Sequence, residues 1–336
     1  MKHLRLDDLP WDEWASPTGR FGGRSRLVSA ELGMEPLPAS HPENAHPFDL
    51  EFVSLAPGKI AWPFHSHTGQ WELFLVLSGH GTVRHGDGTS RRPITAGDTF
   101  IHPPGNPHQI INDGDTDLVY WVIANDPLTD VCVYPDTGRY AYGPGGGTFR
   151  LSHVAYWDDQ PDLPVRPRPA PKPPPFGPSR FASLAEIPWV RRHSPRGRFD
   201  SSLQNVSLAL GGIPDIGITG GGHPFDVQHR RIAPGAAMCP YHQHAAQWEA
   251  FIFTEGRGEV RTPAGWTPVA AGDVVLHPPG SPHQTRAAAD SALTAFIIAD
   301  HPPIDVCYYP DSDKYALDPA GKNFRMTETD YFDGEE

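Results

Sequence analysis

The stretch whose reading decides the fold is residues 58–79, GKIAWPFHSHTGQWELFLVLSG. His65 and His67 are two apart, so on a β-strand both imidazoles point to one face. The run LFLVL at 73–77 is apolar and partly branched, which predicts a second, well-buried strand. Thr68 and Gly69 supply the turn between them. Two histidines on one arm of a strand pair and an inward Glu72 on the other make most of a metal site.

Working outward, residues 97–112, GDTFIHPPGNPHQIIN, supply the fourth ligand. Gly97-Asp98 opens a turn, Thr99–Ile101 reads as a short strand, and Pro103-Pro104-Gly105 breaks the chain before a strand carrying His108. The spacing of Gly97, Pro103, Gly105, His108 and Asn112 resembles the second signature motif of the cupin superfamily, and 58–79 resembles the first. The resemblance implies an antiparallel β-barrel of the jelly-roll, or double-stranded β-helix, type. Inside it His65, His67, Glu72 and His108 converge on one cation.

A lone His-x-His on a strand is usually incidental, and a lone inward glutamate is as often a satisfied core acid. Here the whole pattern recurs. Gly235, His242, His244, Glu249 and Gly256 repeat the first motif with identical gaps, and Gly272, Pro278, Gly280 and His283 repeat the second. The repetition extends beyond the motifs. LPWDEWASPTGRF (9–21) returns as IPWVRRHSPRGRF (187–199), and HPFD (46–49) returns at 223–226. DVCVYPDTGRYA (130–141) returns as DVCYYPDSDKYA (305–316), and YWD (156–158) as YFD (331–333), the offset staying between 175 and 178. A whole domain is duplicated, so the chain is expected to be an all-β bicupin. The expected domains are residues 1–157 and 181–336. Between them runs a Pro-rich linker, 158–180, too poor in amide donors for a helix or inner strand and predicted to run as an extended polyproline strap.

Composition agrees with short strands and many turns: 39 prolines and 34 glycines, with 38% hydrophobic and 20% charged residues. A net charge of −13 argues against nucleic acid or an anionic membrane as partner, since both need a basic surface. No apolar run approaches the ~20 residues of a membrane span, and the N-terminus has no secretory apolar core. Three cysteines give no disulfide framework and fit a reducing cytoplasm. The expected partner is a small-molecule substrate, and a homodimer is left open.

Other residues are read more coarsely. Segments 24–33 and 200–211 each place Ser or Asp before an apolar stretch ending in Gly, which predicts one or two helical turns. Arg20 and Arg198, in the repeated Ser-Pro-x-Gly-Arg-Phe segment, could hold an anion or tie the lead-in to the barrel; the structural role is favoured. Cys132 and Cys307 read as core. Cys239, where the first half has Trp62, reads as a small buried filler rather than a reactive thiol. Ala287 stands where the first half has Asn112, a motif residue whose loss leaves the second site competent. His102 and His277 could relay protons or bond the adjacent turn, and Gln70 and Gln247 could support the ligands. Trp71, Phe74, Trp121, Trp248, Phe251 and Phe296 are the aromatic candidates for pocket walls, although alternation lets only some face inward.

Three neutral imidazoles and one carboxylate suit several divalent first-row metals, with iron or manganese(II) favoured, zinc, nickel, cobalt or copper as alternatives, and up to two ions per chain. Octahedral coordination leaves two positions open. The donor set implies a non-haem dioxygenase acting on a small oxygenated ring or enol, with Glu72 and Glu249 as catalytic candidates for proton transfer. A redox-neutral isomerase, decarboxylase or lyase is the first alternative, and a small-molecule or sugar-binding protein with a structural metal the second. The phrases HPPGxPHQ and DVCYYPDS are closest to those of uncharacterised bicupins, so the fold does not supply the reaction.

Overall fold

The computed structural model describes residues 1–35, 46–142, 147–152, 177–213, 215–318 and 322–335. Strands Phe48–Leu55, Glu72–Ser78, Asp98–His102 and Leu118–Asn125 form the centre of one large sheet. Phe225–Ile232, Glu249–Thr262, Asp273–His277 and Leu293–Asp300 form the matching centre of a second. Each large sheet curls onto smaller antiparallel pairings, for example His80–His85 with Ser90–Thr95 and His108–Ile111 in the first half. Each half is thus a jelly-roll barrel.

Period-two alternation gives every central strand two buried faces. Along Glu72–Ser78, Phe74 and Val76 point into the first barrel, where they pack with Val53, Leu55, Phe100, Ile110, Leu118 and Tyr120. Leu73 and Leu75 point the other way, into a core that both barrels share. Ile101, Trp121 and Ile123 reach that core from the first half, and Val227, Ile252, Val274 and Ile298 from the second. The outer faces of the two large sheets therefore pack on each other. At ~1.5–3 kcal/mol per fully buried large apolar side chain, this layer is a principal source of stability.

The two halves also exchange strands. Lys2–Arg5, at the chain's start, pairs antiparallel with Asp273–His277 of the second sheet, and Arg180–Ser183 pairs with Asp98–His102 of the first. The next residue of each exchanged strand continues the pattern, Leu6 N donating to Gly272 O and Leu184 N to Gly97 O, both at 2.8 Å. The Pro-rich run between the halves lies outside the described residues as far as 176, as does the YWD copy at 156–158. Arg180, the last residue assigned to the linker, opens the exchanged strand.

The predicted lead-in helices are each a single turn, Val28–Glu31 and Val206–Ala209. Gly33 and Gly211 follow them at φ +70° and +87°, as the terminating glycines should. The anticipated caps, however, lie inside strands Gly22–Leu27 and Asp200–Asn205, because ladder pairing claims those residues first. Asn205 caps the second turn instead, accepting from Leu208 N at 2.8 Å. Ser-Pro-x-Gly-Arg-Phe forms a hairpin turn in both halves, with Ser16 Oγ accepting from Phe21 N and Ser194 Oγ from Phe199 N, each at 3.1 Å. Arg20 and Arg198 offer backbone carbonyls to Ile60 N and Ala237 N, tying the lead-in to the barrel. Among the described residues no helix is long and apolar enough to cross a membrane.

Candidate metal centres

Local pairing brings the predicted ligands together. His65 and His108 face each other as an isolated antiparallel bridge, their backbones exchanging hydrogen bonds at 3.1 and 2.7 Å. His242 and His283 repeat this at 3.1 and 2.7 Å. The Pro-Pro-Gly turns fold back on the other histidine: Gly105 N donates to His67 O and Gly280 N to His244 O, both at 2.7 Å. Gly105 and Gly280 sit at φ +80° and +72°, the left-handed conformation expected at the third position of such a turn. Glu72 and Glu249 enter from the central strand of each large sheet, opposite His102 and His277.

The outward nitrogens are all anchored. His65 Nδ1 lies 2.8 Å from Pro63 O and His242 Nδ1 2.9 Å from Pro240 O. His108 and His283 turn Nδ1 to the carbonyls of Asn106 and Ser281 at 3.3 and 3.0 Å. His67 and His244 turn Nδ1 to Asp130 Oδ2 and Asp305 Oδ2, both at 2.6 Å. The hydrogen-bond pattern thus assigns the proton to Nδ1 and leaves each Nε2 with an inward lone pair. Glu72 Oε2 lies 2.8 Å from His108 Nε2 and 3.4 Å from His67 Nε2; Glu249 Oε2 lies 2.9 Å from His283 Nε2 and 3.5 Å from His244 Nε2.

Glu72 Oε2 and Glu249 Oε2 are buried and have no hydrogen-bond donor among the described residues. Lone pairs held this close in a low-dielectric interior repel one another unless a cation lies between them. In each barrel the donor atoms of two histidines and the glutamate lie within 4.8 Å of one another, a cluster that could hold a metal ion.

Electrostatics fit an ionised carboxylate among imidazoles of unequal basicity, His65 and His283 being lowered and His67 and His242 raised. Burial pushes His65 down to a pKa of about 3, helped by neighbouring His108. At His67 the penalty of burial is outweighed by Glu72 and Asp130, and the pKa rises. Burial would raise Glu72, yet His67 and His108 hold it well below the usual carboxylate range. Glu249 is lowered in the same way by His244, His242 and His283.

Asp130 and Asp305 are the site residues that motif reading missed. Besides holding the histidine, Asp130 Oδ1 accepts from Thr68 N and Gly69 N at 2.9 and 2.8 Å, and Asp305 Oδ1 from Ala246 N at 2.7 Å. The available signal was the repeated Asp-Val-Cys phrase that each of them opens. His102 and His277 stack on ligands His108 and His283, with ring centroids 4.1 and 3.8 Å apart. His102 Nδ1 is 2.7 Å from Ser179 Oγ, whereas both His277 nitrogens are buried without a partner among the described residues.

Several expectations change. Trp71, Trp121 and Phe296 are buried in the core between the barrels, and Trp248 packs against it, so of the six aromatic candidates only Phe74 and Phe251 face inward. Strand parity sends the others outward. Gln70 and Gln247 do not support ligands; their amides donate to Asn125 O and Asp300 O at 3.0 and 2.7 Å. Asn112 likewise serves the backbone, donating to Leu55 O and Thr116 O. Cys132 and Cys307 are partly exposed rather than core, because each pairs across from a ligand, His67 or His244, at the barrel mouth. Cys239 packs against the interior of the second barrel with its Sγ 3.6 Å from His242 Nδ1.

The fold and the paired clusters define a duplicated barrel protein with a candidate metal centre in each half. The Cupin domain family model matches residues 51–124 and 228–299, one match per barrel. Auxin-binding protein 1 of Arabidopsis thaliana is 29% identical over 162 residues, 46% of this chain and 72% of that protein. The oxalate-binding protein of Thermotoga maritima is 37% identical over 71 residues, 21% of this chain and 56% of its own length. The crystal structure of Lactobacillus farciminis oxalate decarboxylase in a formate complex superposes with a TM-score of 0.55 at 14% identity, covering 93% of this chain and 89% of that one. Each barrel carries a match to the Cupin domain, and the chain as a whole has the bicupin fold.

Proposed function

We propose that the chain is a metal-dependent enzyme holding one divalent ion in each barrel and acting without net redox change on a small, oxygen-rich organic acid. The observation that carries this reading is the set of inward lone pairs on anchored imidazoles facing an orphaned carboxylate oxygen. His65, His67, Glu72 and His108 would hold one ion, and His242, His244, Glu249 and His283 the other. Iron(II) or manganese(II) suits this mixed set. When bound, the ion would supply a Lewis acid that polarises a substrate oxygen.

The first barrel supports a small substrate. Its cavity of about 40 Å³ is lined by Glu51, Trp62, His65, Glu72, Phe74 and His108, among others. That is room for about three waters. A carboxylate of a few atoms fits that scale better than an aromatic ring. Glu51, which lines the cavity and whose pKa burial raises, is the candidate proton donor there. Decarboxylation, which ends by protonating a carbanion or enolate, has use for such a group. The likeness to oxalate decarboxylase and to an oxalate-binding protein favours the same class.

Dioxygenation of a ring or enol is the second reading, supported by the donor set and its open positions. The small cavity counts against it. The test is turnover of a panel of two- to four-carbon carboxylates with manganese or iron restored, in air and under argon. Carbon dioxide release under argon that Glu72→Ala abolishes supports the proposal. Strict dependence on O₂ overturns it in favour of the dioxygenase. Ligand binding without turnover that survives Glu72→Ala, Glu249→Ala leaves a binding protein.

A further inference from the structure

The two barrels share their ligands but not their inner walls. Strands Phe48–Leu55 and Phe225–Ile232 occupy the same place in the two large sheets, each paired along its length with the equivalent neighbour, Leu118–Asn125 or Leu293–Asp300. Inward positions Glu51 and Val53, which line the first cavity, become Gln228 and Arg230. Arg230 falls on the barrel's inward side by alternation: Val227 belongs to the shared core, whereas Ile232 belongs to the second barrel's interior. Directly across from Val53 stands Tyr120; directly across from Arg230 stands Ala295.

We propose that the second barrel is built to hold a small carboxylate anion against the Arg230 guanidinium. Arg230 Nη2 donates to Gln228 Oε1 at 2.9 Å, and its buried Nε has no partner among the described residues. No ion pair to Arg230 is found among the described residues. Its counterpart Val53 lines the first cavity together with His65, Glu72 and His108, and the repeat sets Arg230 in the same place relative to the second cluster.

The bland account is that arginine fills the volume that Tyr120 occupies in the first barrel. An apolar side chain would do that without desolvating a charge, and a half-satisfied fork is a costly filler. A planar carboxylate answers the guanidinium's geometry with two parallel hydrogen bonds. The wall is smaller here as well: Cys239 replaces Trp62, whose indole stacks on Trp14 at 4.8 Å and lines the first cavity. In the first barrel Val53 stands at this position and offers no cation. The inference deepens the proposed enzyme reading and rests on the barrels being ligand pockets; it assigns anion capture to one of them.

The test is calorimetric titration of oxalate, as a probe carboxylate, into the metal-loaded chain, Arg230→Val and Arg230→Lys. Valine is the residue the first barrel already carries at this position. Arg230→Val should weaken one binding event by at least about tenfold, the loss expected for a charge-assisted bidentate contact, and Arg230→Lys by less. Wild-type affinity in Arg230→Val, within threefold, overturns the proposal. If that variant does not fold, a crystal structure of the natural chain with oxalate decides. A carboxylate oxygen about 3 Å from the guanidinium supports the proposal, and oxalate seated only in the first barrel overturns it. Metal content of the same samples separates the two claims. Two ions per chain with no Arg230 dependence sinks only this inference, whereas Arg230 dependence without metal sinks only the enzyme reading.

Discussion

His67 donates its Nδ1 proton to Asp130 Oδ2 across 2.6 Å, and His244 makes the same 2.6 Å bond to Asp305 Oδ2. Each aspartate fixes tautomer and ring orientation for one inward Nε2 while clamping the turn that follows it. The hydrogen bond to His67 brings Asp130 down to a pKa of about 2, despite burial, so it stays an acceptor through the neutral range. Asp130→Asn should lower metal affinity at the first site by roughly 10–100-fold, and Asp305→Asn at the second. Competition with a chromophoric chelator reads both. Unchanged affinity in either would remove that aspartate from the ligand support.

Removing one anchored histidine removes a quarter of a donor set. His65→Ala and His242→Ala should each lower metal content by about one ion per chain, and the double variant should bind almost none. Elemental analysis measures this directly. Full occupancy in either single variant would contradict the ligand assignment.

Asp300, which is not itself a candidate ligand, offers a pH-dependent test. Burial raises its pKa to about 6, and it accepts from Trp248 N at 2.7 Å. Unfolded, it titrates near its ordinary value of 3.8. Between these values the folded state binds more protons, so stability falls as pH rises through that window and the loss is complete above it. The first barrel places Asn125 here, with the same bond to Trp71 N at 2.6 Å. Asp300→Asn should therefore stabilise the chain by roughly 1–3 kcal/mol at pH 7 and flatten the dependence. Urea unfolding at a series of pH values checks it; a destabilised Asp300→Asn at pH 7 would show that the charge is wanted.

The exchanged strands predict what dissection does. Deleting residues 1–6 strips the pairing partner from Asp273–His277 and should destabilise the second barrel more than the first. Separating the halves in the proline-rich run would leave each lacking the strand it borrows and expose Leu73, Trp121, Ile252 and Ile298. Isolated halves should aggregate, or re-associate when mixed. Gel filtration distinguishes this from two well-behaved monomeric barrels, which would contradict the shared core.

Much of this was written in the chain. The candidate ligands stand out because their spacing is tied to backbone geometry, a bridge and a turn that tolerate little drift, and because the pattern occurs twice. The strand exchange did not declare itself: KHLRL and RFASL share little beyond their place ahead of each repeat, and backbone pairing leaves only a faint trace in side chains. Alternation alone sets Trp71 on the face opposite Glu72 and Phe74, and it lies in the core between the barrels while Phe74 faces inward. Asp130 was visible as a repeated residue, yet its partner lies 63 positions away and only the fold joins them.

The central claim is that each barrel holds one ion, and the measurement closest to it is metal content per chain, by elemental analysis of protein purified without added metal or a histidine tag. The account predicts close to two divalent ions per chain, iron or manganese foremost. Protein that carries none, and takes up none when manganese, iron or zinc is supplied, would contradict it.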